Sequence, residues 1–178
     1  MYLLDSNIFI EAQNRYYAND ICPGFWDWLD DANRRGLVAS IGEVYERTDP
    51  LAQWIRERRG SGWFLDVADD RTQSSFTEII QYIESVERYT RPNKNQFLDG
   101  ADPWLIAKAR TMGWSVATHE QFNERSTKVK IPNVCRDFGV TTGSTFDMLR
   151  ELRATFEWAR AAQTRKKSGA AKAAPLLS

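Results

Sequence analysis

The chain has 178 residues, which is long enough for one domain with a proper hydrophobic core. Lysine plus arginine and aspartate plus glutamate each number 24, so the net charge gives no indication of a nucleic-acid or membrane partner. No stretch approaches the roughly 20 apolar residues of a membrane span, and we expect no signal peptide because the N-terminus lacks a cationic lead and an unbroken apolar segment.

Predicted strands and helices alternate along the chain. The first strand, YLLD, leads directly into a helix over SNIFIEAQNR. Apolar residues at helical spacing, or in short continuous runs, predict the later elements. In chain order these are a helix at 24–36, a strand at 37–41, two helices within 40–60, a strand at 63–67, helices at 74–90 and 101–113, strands at 114–118 and 128–135, and a last helix at 145–163.

This alternation predicts an α/β protein with a mainly parallel sheet that is covered by helices on both faces. We expect a single domain over residues 1–163, followed by a disordered basic tail over 164–178 that has too few apolar groups to bury. Ligands of such sheets bind beyond the carboxyl ends of the strands. Asp5 stands at that end of the first predicted strand, inside an otherwise apolar run.

Acidic residues recur where predicted strands end or helices begin. Asp5 ends the first strand, Glu43 and Glu46 follow the second, Asp102 begins a helix, and Glu120 follows a later strand. In a parallel sheet these ends can converge at one edge. Clustered carboxylates repel one another unless a cation neutralises them, so the pattern points to a metal site.

Few side chains other than carboxylates are available as metal ligands. His119 is the single histidine, which argues against a histidine-based metal site and against a Ser-His-Asp triad. Cys22 and Cys135 lie far apart without metal-ligand spacing, and we expect them to be reduced thiols in a cytoplasmic protein. Oxygen ligands alone favour a hard ion such as Mg²⁺ or Mn²⁺.

Each acid also has a structural interpretation. Asp5 could serve only as the N-cap of the helix that follows it. Asp102 precedes a proline, which is typical of a helix start, and a capping role there does not exclude metal binding. Glu43 lies three residues after Ser40, the spacing of a capping box, which leaves Glu46 as the candidate for function.

Two motifs carry a resemblance to a known family. YLLDSNIFIEA resembles the opening of a PIN-domain nuclease, with a hydrophobic strand, Asp-x-Asn and an apolar helix. ADPWLIAKARTMGWSVATHEQF is similar to the second half of that domain, and the resemblance covers about residues 2–140. The best match is to the toxin-type, VapC-like branch, particularly its larger members with an extended C-terminal segment such as KVKIPNVCRDFGV.

The resemblance implies a PIN-like three-layer α/β/α sandwich and a metal-dependent endoribonuclease that leaves 5′-phosphate and 3′-hydroxyl ends. Three acids are implied as ligands of Mg²⁺ or Mn²⁺ and a fourth as a further catalytic acid. Two polar residues are implied as the groups that orient them. Carried over by position, the ligands are Asp5, Asp102 and Glu120, the fourth acid is Glu46, and the orienting groups are Asn7 and Thr118.

The sequence departs from the family pattern at two positions. The last acid is usually aspartate, whereas here it is Glu120. Glu46 is followed by Arg47 instead of an apolar residue, so Glu43, which an apolar residue does follow, is a rival assignment. Asp99 is a further rival acid, with a loop position as its structural interpretation.

The leading hypothesis is an endoribonuclease that acts as the toxin of a toxin–antitoxin pair. It implies an RNA substrate, a small antitoxin, a homodimer and no membrane partner. The alternative is a PIN-like RNA-binding or scaffold protein that has lost catalysis. A doubly wound phosphatase or phosphotransfer domain ranks third, because such chemistry would require an Asp-x-Asp pair that the chain lacks.

Several side chains are candidates to hold an RNA backbone, and a solvated helix face is their structural interpretation. We expect most of the seven tryptophans to lie in the core and some to lie at an interface between copies of the chain. The backbone candidates are RERR at 56–59, Arg88, Arg91 and Lys94, with Tyr89 as a ring on which a base could stack.

Overall fold

The computed structural model describes residues 1–42 and 50–156. Within these ranges five strands form one sheet in the order β3-β2-β1-β4-β5. Every pairing between neighbouring strands is parallel. The strands are β1 (Tyr2–Leu4), β2 (Val38–Ile41), β3 (Phe64–Leu65), β4 (Ser115–Ala117) and β5 (Thr142–Gly143).

Helices connect the strands, as the alternating sequence pattern predicts. After β1 a single π-helical turn, Ala12–Tyr16, continues the first helix. The helices of the described ranges are α1 (Ser6–Glu11), α2 (Pro23–Arg34), α3 (Pro50–Glu57), α4 (Asp70–Ser85), α5 (Arg91–Leu98), α6 (Asp102–Met112), α7 (Ile131–Asp137) and α8 (Thr145–Glu151).

Two hydrophobic clusters lie on opposite faces of the sheet. Leu3 packs into one cluster with side chains of α4, α6 and α7. Tyr2 and Leu4 pack into the other with side chains of α1, α2, α3 and α8. Successive residues of a strand point to opposite faces, which places the sheet between two helical layers. The predicted three-layer α/β/α sandwich is therefore confirmed.

Most of the described tryptophans contribute to packing, as expected from their number. Trp26, Trp54 and Trp63 are buried in the same cluster. Trp54 contacts the other two rings edge-on at 5.1 Å between centroids. On the other face, Trp104 stacks on Phe76. The interface role proposed for some tryptophans stays a prediction.

The central position of β1 explains why an acid can follow it at a buried edge. Tyr2, Leu3 and Leu4 are at most 3% exposed. β1 pairs with β2 on one side and with β4 on the other. The Asp5 N–H extends the second pairing by donating to the Ala117 carbonyl at 3.0 Å. The end of β1 is therefore held beside the end of β4.

The predicted strand at 128–135 is wrong. Most of the segment lies in α7, and Pro132 is in the first turn of this helix. A backbone N–H in the first turn has no partner within the helix, so proline is tolerated there. Ile131, Val134 and Cys135 are buried at helical spacing, a pattern that a short apolar run shares with a strand. The strand that completes the sheet is β5, whose two residues are too few for a sequence pattern.

The predicted last helix over 145–163 is also too long. α8 ends at Glu151, and Arg153 has a left-handed backbone with φ of 54°, which a helix cannot contain. Earlier in the chain, α4 begins at Asp70, four residues before the predicted start, because Asp69 caps it by accepting from the Thr72 N–H. The sequence pattern missed α5 altogether.

Some predictions fall outside the described residues. They concern Glu43, Glu46, the first of the two helices within 40–60 and the tail at 164–178. Among the residues that are described, no helix is long and apolar enough to cross a membrane.

Two glycines provide a matched test of the backbone. Gly113 ends α6 with φ of 66°, whereas Gly24 lies inside α2 with open space around its Cα. Gly113→Ala should cost about 1 kcal/mol of unfolding free energy because a Cβ disfavours the left-handed region. Gly24→Ala should add about 0.5–1 kcal/mol by reducing the entropy of the unfolded chain. Urea denaturation measures both, and equal signs would contradict the assigned conformations.

Candidate active site

Asp5 is buried at the carboxyl end of β1, with only 2% of its surface exposed. One carboxylate oxygen, Oδ1, accepts from the Asn7 N–H and the Ser6 hydroxyl, each at 3.2 Å. The other, Oδ2, accepts from the Thr118 hydroxyl at 2.8 Å and from the Asn7 amide at 3.4 Å. Asp5 therefore caps α1, and the same carboxylate also contacts Thr118 at the end of β4.

Asp102 is the first residue of α6, and the prediction that it caps this helix is wrong. The N-cap is Ala101, which has no side-chain bond to the helix. The Asp102 carboxyl is freed from the helix end and lies close enough to two other acids to interact with them. Burial, followed by repulsion from Asp5 and Glu120, raises its pKa to about 7. This group changes charge near neutral pH, which is common among residues of functional sites.

Glu120 follows β4 and is held by α7. Its Oε2 accepts from the Ile131 N–H at 2.7 Å, so it caps the helix that the sequence pattern misassigned as a strand. Burial raises the pKa of Glu120, with a further increase from Asp5, while the bond from Ile131 and the charge of Lys130 oppose the shift. Three of the four predicted acids are thus brought together at one edge of the sheet.

Thr118 joins two of these acids through a single hydroxyl. It donates to Asp5 and accepts from the Glu120 N–H at 3.1 Å, with 2% of the residue exposed. Asn7 contacts Asp5 through both its backbone and its side chain. The two residues predicted to orient the acids therefore do contact them.

Replacing Thr118 with valine should test this link. Valine has nearly the same shape but leaves the Asp5 carboxylate and the Glu120 N–H without their partner. We expect a loss of about 1–2 kcal/mol of unfolding free energy. Thr118→Ser keeps the hydroxyl and should lose less than Thr118→Val in urea denaturation. A valine variant as stable as the serine variant would show that the hydroxyl contributes no more than the buried methyl group that serine lacks.

A cavity of about 240 Å³ opens beside the acids. Asp102 and Glu120 line it together with Lys128 and Lys130, so acidic and basic groups face the same space. A second cavity of about 200 Å³ shares Glu120 and extends toward the start of α8. Opposite charges in adjoining positions suit a ligand that carries both a phosphate and a cation.

The chain matches the model of a protein family over most of its length. A family model described as "Domain of unknown function (DUF4411)" matches residues 2–156. The chain belongs to the DUF4411 family. The matched range contains the whole sheet and Asp5, Asp102 and Glu120. No curated protein and no solved structure shows a significant similarity to the chain.

The basic residues predicted to hold RNA mostly have other partners in this DUF4411 domain. Lys94 is buried and donates to the Glu84 carbonyl at 2.6 Å, and Tyr89 is only 3% exposed. Arg91 pairs with Glu84 at 2.5 Å. Arg88 lies over the Tyr89 ring at 4.8 Å. Because Tyr89 is buried, its ring is not available to a base.

Arg58, from the predicted RERR segment, forms an ion pair with Asp30 at 2.5 Å. The lysines at the cavity, Lys128 and Lys130, were missed because they were assigned to a strand. The sequence KVKIP was the available signal, since a helix that starts next to its proline would have placed both lysines in the preceding loop.

The donor chemistry of the DUF4411 site suits a hard divalent cation, because its acids provide only oxygen. Among residues 1–42 and 50–156, however, no group of three or more His, Cys, Asp or Glu side chains is arranged to hold an ion. Glu43 and Glu46 lie outside these ranges. The rival Asp99 is an exposed residue at the C-terminus of α5. The described acids are close enough to repel one another, and coordination would require an arrangement different from the one described.

Proposed function

We propose that this DUF4411 chain is an endoribonuclease that depends on Mg²⁺ or Mn²⁺. One observation carries the proposal: Asp5, Asp102 and Glu120 meet at the carboxyl edge of a parallel sheet, and their repulsion contributes to the raised pKa of Asp102. Crowded carboxylates destabilise a fold, and a bound cation relieves the cost. Ligands of open parallel sheets bind at this edge.

Asp5, Asp102 and Glu120 would hold the ion, with Glu46 as the fourth acid. When bound, the ion would polarise the scissile phosphate and lower the pKa of a coordinated water. The Thr118 hydroxyl keeps Asp5 oriented, and the Ile131 N–H keeps Glu120 oriented. Lys128 and Lys130 attract the phosphate backbone into the cavity.

The resemblance to PIN-domain nucleases supports the choice of RNA and of hydrolysis to 5′-phosphate and 3′-hydroxyl ends. It also supports a toxin role, a small antitoxin partner, a homodimer and a cytoplasmic location as parts of the same proposal. The proximity of the acids from the two resembling motifs supports this choice, since Asp5 and Glu120 both act on the charge of Asp102.

Cleavage of a single-stranded RNA by the purified chain tests the proposal. We expect products with Mn²⁺ or Mg²⁺, none with excess EDTA, and 5′-phosphate ends that a 5′-phosphate-dependent exonuclease degrades. Glu120→Gln should lower the rate at least about 100-fold, a size typical for an electrostatic catalytic group. Asp99→Asn is the matched control, because this exposed acid lies outside the cluster, and it should cleave like the parent.

A noncatalytic RNA-binding protein is the second candidate. It is favoured by one observation, since Glu120 already uses an oxygen to cap α7. It predicts that the parent chain binds RNA in EDTA and that added Mn²⁺ produces no cleavage. That result would overturn the nuclease proposal.

A further inference from the structure

Exposed aromatic rings are concentrated beside the carboxylate edge. Tyr16 is 52% exposed, Phe122 is 45% exposed and Phe146 is 41% exposed. Single exposed apolar side chains are common in folded domains, but aromatic rings beside a cavity lined by charged groups provide faces on which bases can stack. We call these three residues the aromatic rim.

Tyr16 and Phe146 lie against the loop that carries Glu120. The Tyr16 ring is 6.3 Å from the His119 ring and 6.1 Å from the Phe146 ring, measured between centroids. His119 is held in place by Thr145, with 3.2 Å between Nε2 and the hydroxyl oxygen. His119 directly precedes Glu120 in the chain. The Tyr16 ring therefore contacts a residue next to one of the acids.

The outward position of Tyr16 contrasts with that of the next residue. Tyr17 turns inward and stacks on buried Phe25 with 4.3 Å between ring centroids. The π-helical turn ends at Tyr16, and such turns often occur at functional sites. Tyr17 thus accounts for the packing of this segment, and core packing does not explain the exposure of Tyr16.

Phe122 follows Glu120 by two residues in the chain. Both residues line the 200 Å³ cavity, which also reaches Ser144 at the start of α8. The Arg136 guanidinium lies 4.4 Å from the centre of the Phe122 ring. A ring and a cation at this position match the two parts of a nucleotide, a base and a phosphate.

We propose that the aromatic rim stacks unpaired bases of a single-stranded nucleic acid, with Tyr16 and Phe146 beside His119 and with Phe122 at the cavity that Glu120 lines. The inference rests on the proposed function, because the phosphate between these bases would lie at Asp102 and Glu120. The rings are separated by polar groups such as His119 and Ser144 and do not form one continuous apolar face. This arrangement suits separate bases better than the apolar surface of a protein.

Binding of a short fluorescent single-stranded RNA in EDTA tests the inference without cleavage. The double variant Tyr16→Leu with Phe146→Leu keeps apolar surface but removes both ring faces. We expect its affinity to fall about 10- to 100-fold, as for loss of stacked bases. Tyr16→Phe should bind like the parent. Met112→Leu is the control, since this exposed residue ends α6 at the opposite edge of the sheet.

An abasic oligonucleotide of the same length and charge separates stacking from attraction to phosphate. The parent should bind the abasic oligonucleotide at least as weakly as the double leucine variant binds RNA, because that variant keeps the Phe122 ring. The inference would be overturned if the double variant bound RNA as tightly as the parent does. It would also be overturned if the parent bound duplex and single-stranded RNA equally well. In either case, metal-dependent cleavage by the parent would still support the nuclease proposal. A parent chain that neither binds nor cleaves RNA would overturn both.

Discussion

Asp102→Asn should stabilise the metal-free protein at pH 8. The folded protein raises the pKa of this carboxyl from 3.8 to about 7, chiefly through burial and then through Asp5 and Glu120. The folded state therefore binds the proton more tightly than the unfolded state, and ionisation above pH 7 opposes folding. Asparagine has nearly the same size and no charge. We expect a gain on the order of 2–4 kcal/mol in unfolding free energy.

The gain should depend on pH in a defined direction. Asp102 favours folding when protonated, and this contribution is fully present below the unfolded pKa of 3.8 and lost as pH rises through about 7. The difference between Asp102→Asn and the parent should therefore be small at pH 4, grow to pH 7 and then level off. Urea denaturation across this range measures it. A difference that does not vary with pH would contradict the crowded site.

Asp5→Asn is the matched variant, because it removes the same charge from the same cluster. Asp5 accepts from Thr118 and Asn7, however, and an amide can replace only one of its two carboxylate oxygens as an acceptor. It should therefore gain less than Asp102→Asn. Both variants should lose metal-dependent cleavage at least about 100-fold and lose the thermal stabilisation by millimolar Mn²⁺ that we expect of the parent.

Asp30→Ala should cost about 2–4 kcal/mol of unfolding free energy. Its Oδ1 accepts from Arg58 Nε at 2.7 Å and from the Trp63 indole at 2.9 Å, and Oδ2 accepts from Arg58 Nη2 at 2.5 Å. The Arg58 guanidinium also lies 4.0 Å from the centre of the Trp54 ring. Alanine would leave a half-buried cation and an indole N–H without their acceptor, which costs more than losing a surface pair.

The neighbouring acid provides the control for Asp30. Asp31 pairs with Arg34 at 3.1 Å and with Arg35 at 3.5 Å, in contacts that are largely exposed to water. Asp31→Ala should change the unfolding free energy by less than about 1 kcal/mol. Thermal denaturation of the two alanine variants compares them directly. Equal losses would show that the Arg58 pair is an ordinary surface ion pair with no special role in joining α2, α3 and β3.

Local patterns were enough to predict the layers and part of the site. Strand β1 is buried on both faces, so its residues form an unbroken apolar run. An acid at the end of that run is visible in the sequence alone. Asp102 and Glu120 were found in the same way, because each stands at the end of a strand or the start of a helix with a clear pattern.

The same patterns led to wrong predictions for segments that are short or fit two kinds of secondary structure. The apolar residues of α7 have a spacing that also fits a short strand, and its proline was interpreted as the sign of a sheet edge. This one error also hid the contact between Glu120 and Ile131 and the positions of Lys128 and Lys130. Tyr89 and Lys94 were assigned to a solvent-facing surface although both are buried, since no local pattern shows what packs over a helix.

The sequence by itself determined the alternation of strands and helices and the acid at the end of β1, because hydrophobic periodicity and chain direction are local properties. Only the tertiary structure decided that Asp102 is the destabilised carboxyl, that Thr118 bridges two acids, and that Tyr16 meets Phe146. Asp5 is distant in the chain from Asp102 and Thr118, and Tyr16 is distant from Phe146, and the fold brings them together. Burial and repulsion depend on such distances, so a residue's electrostatic cost follows from the packing around it.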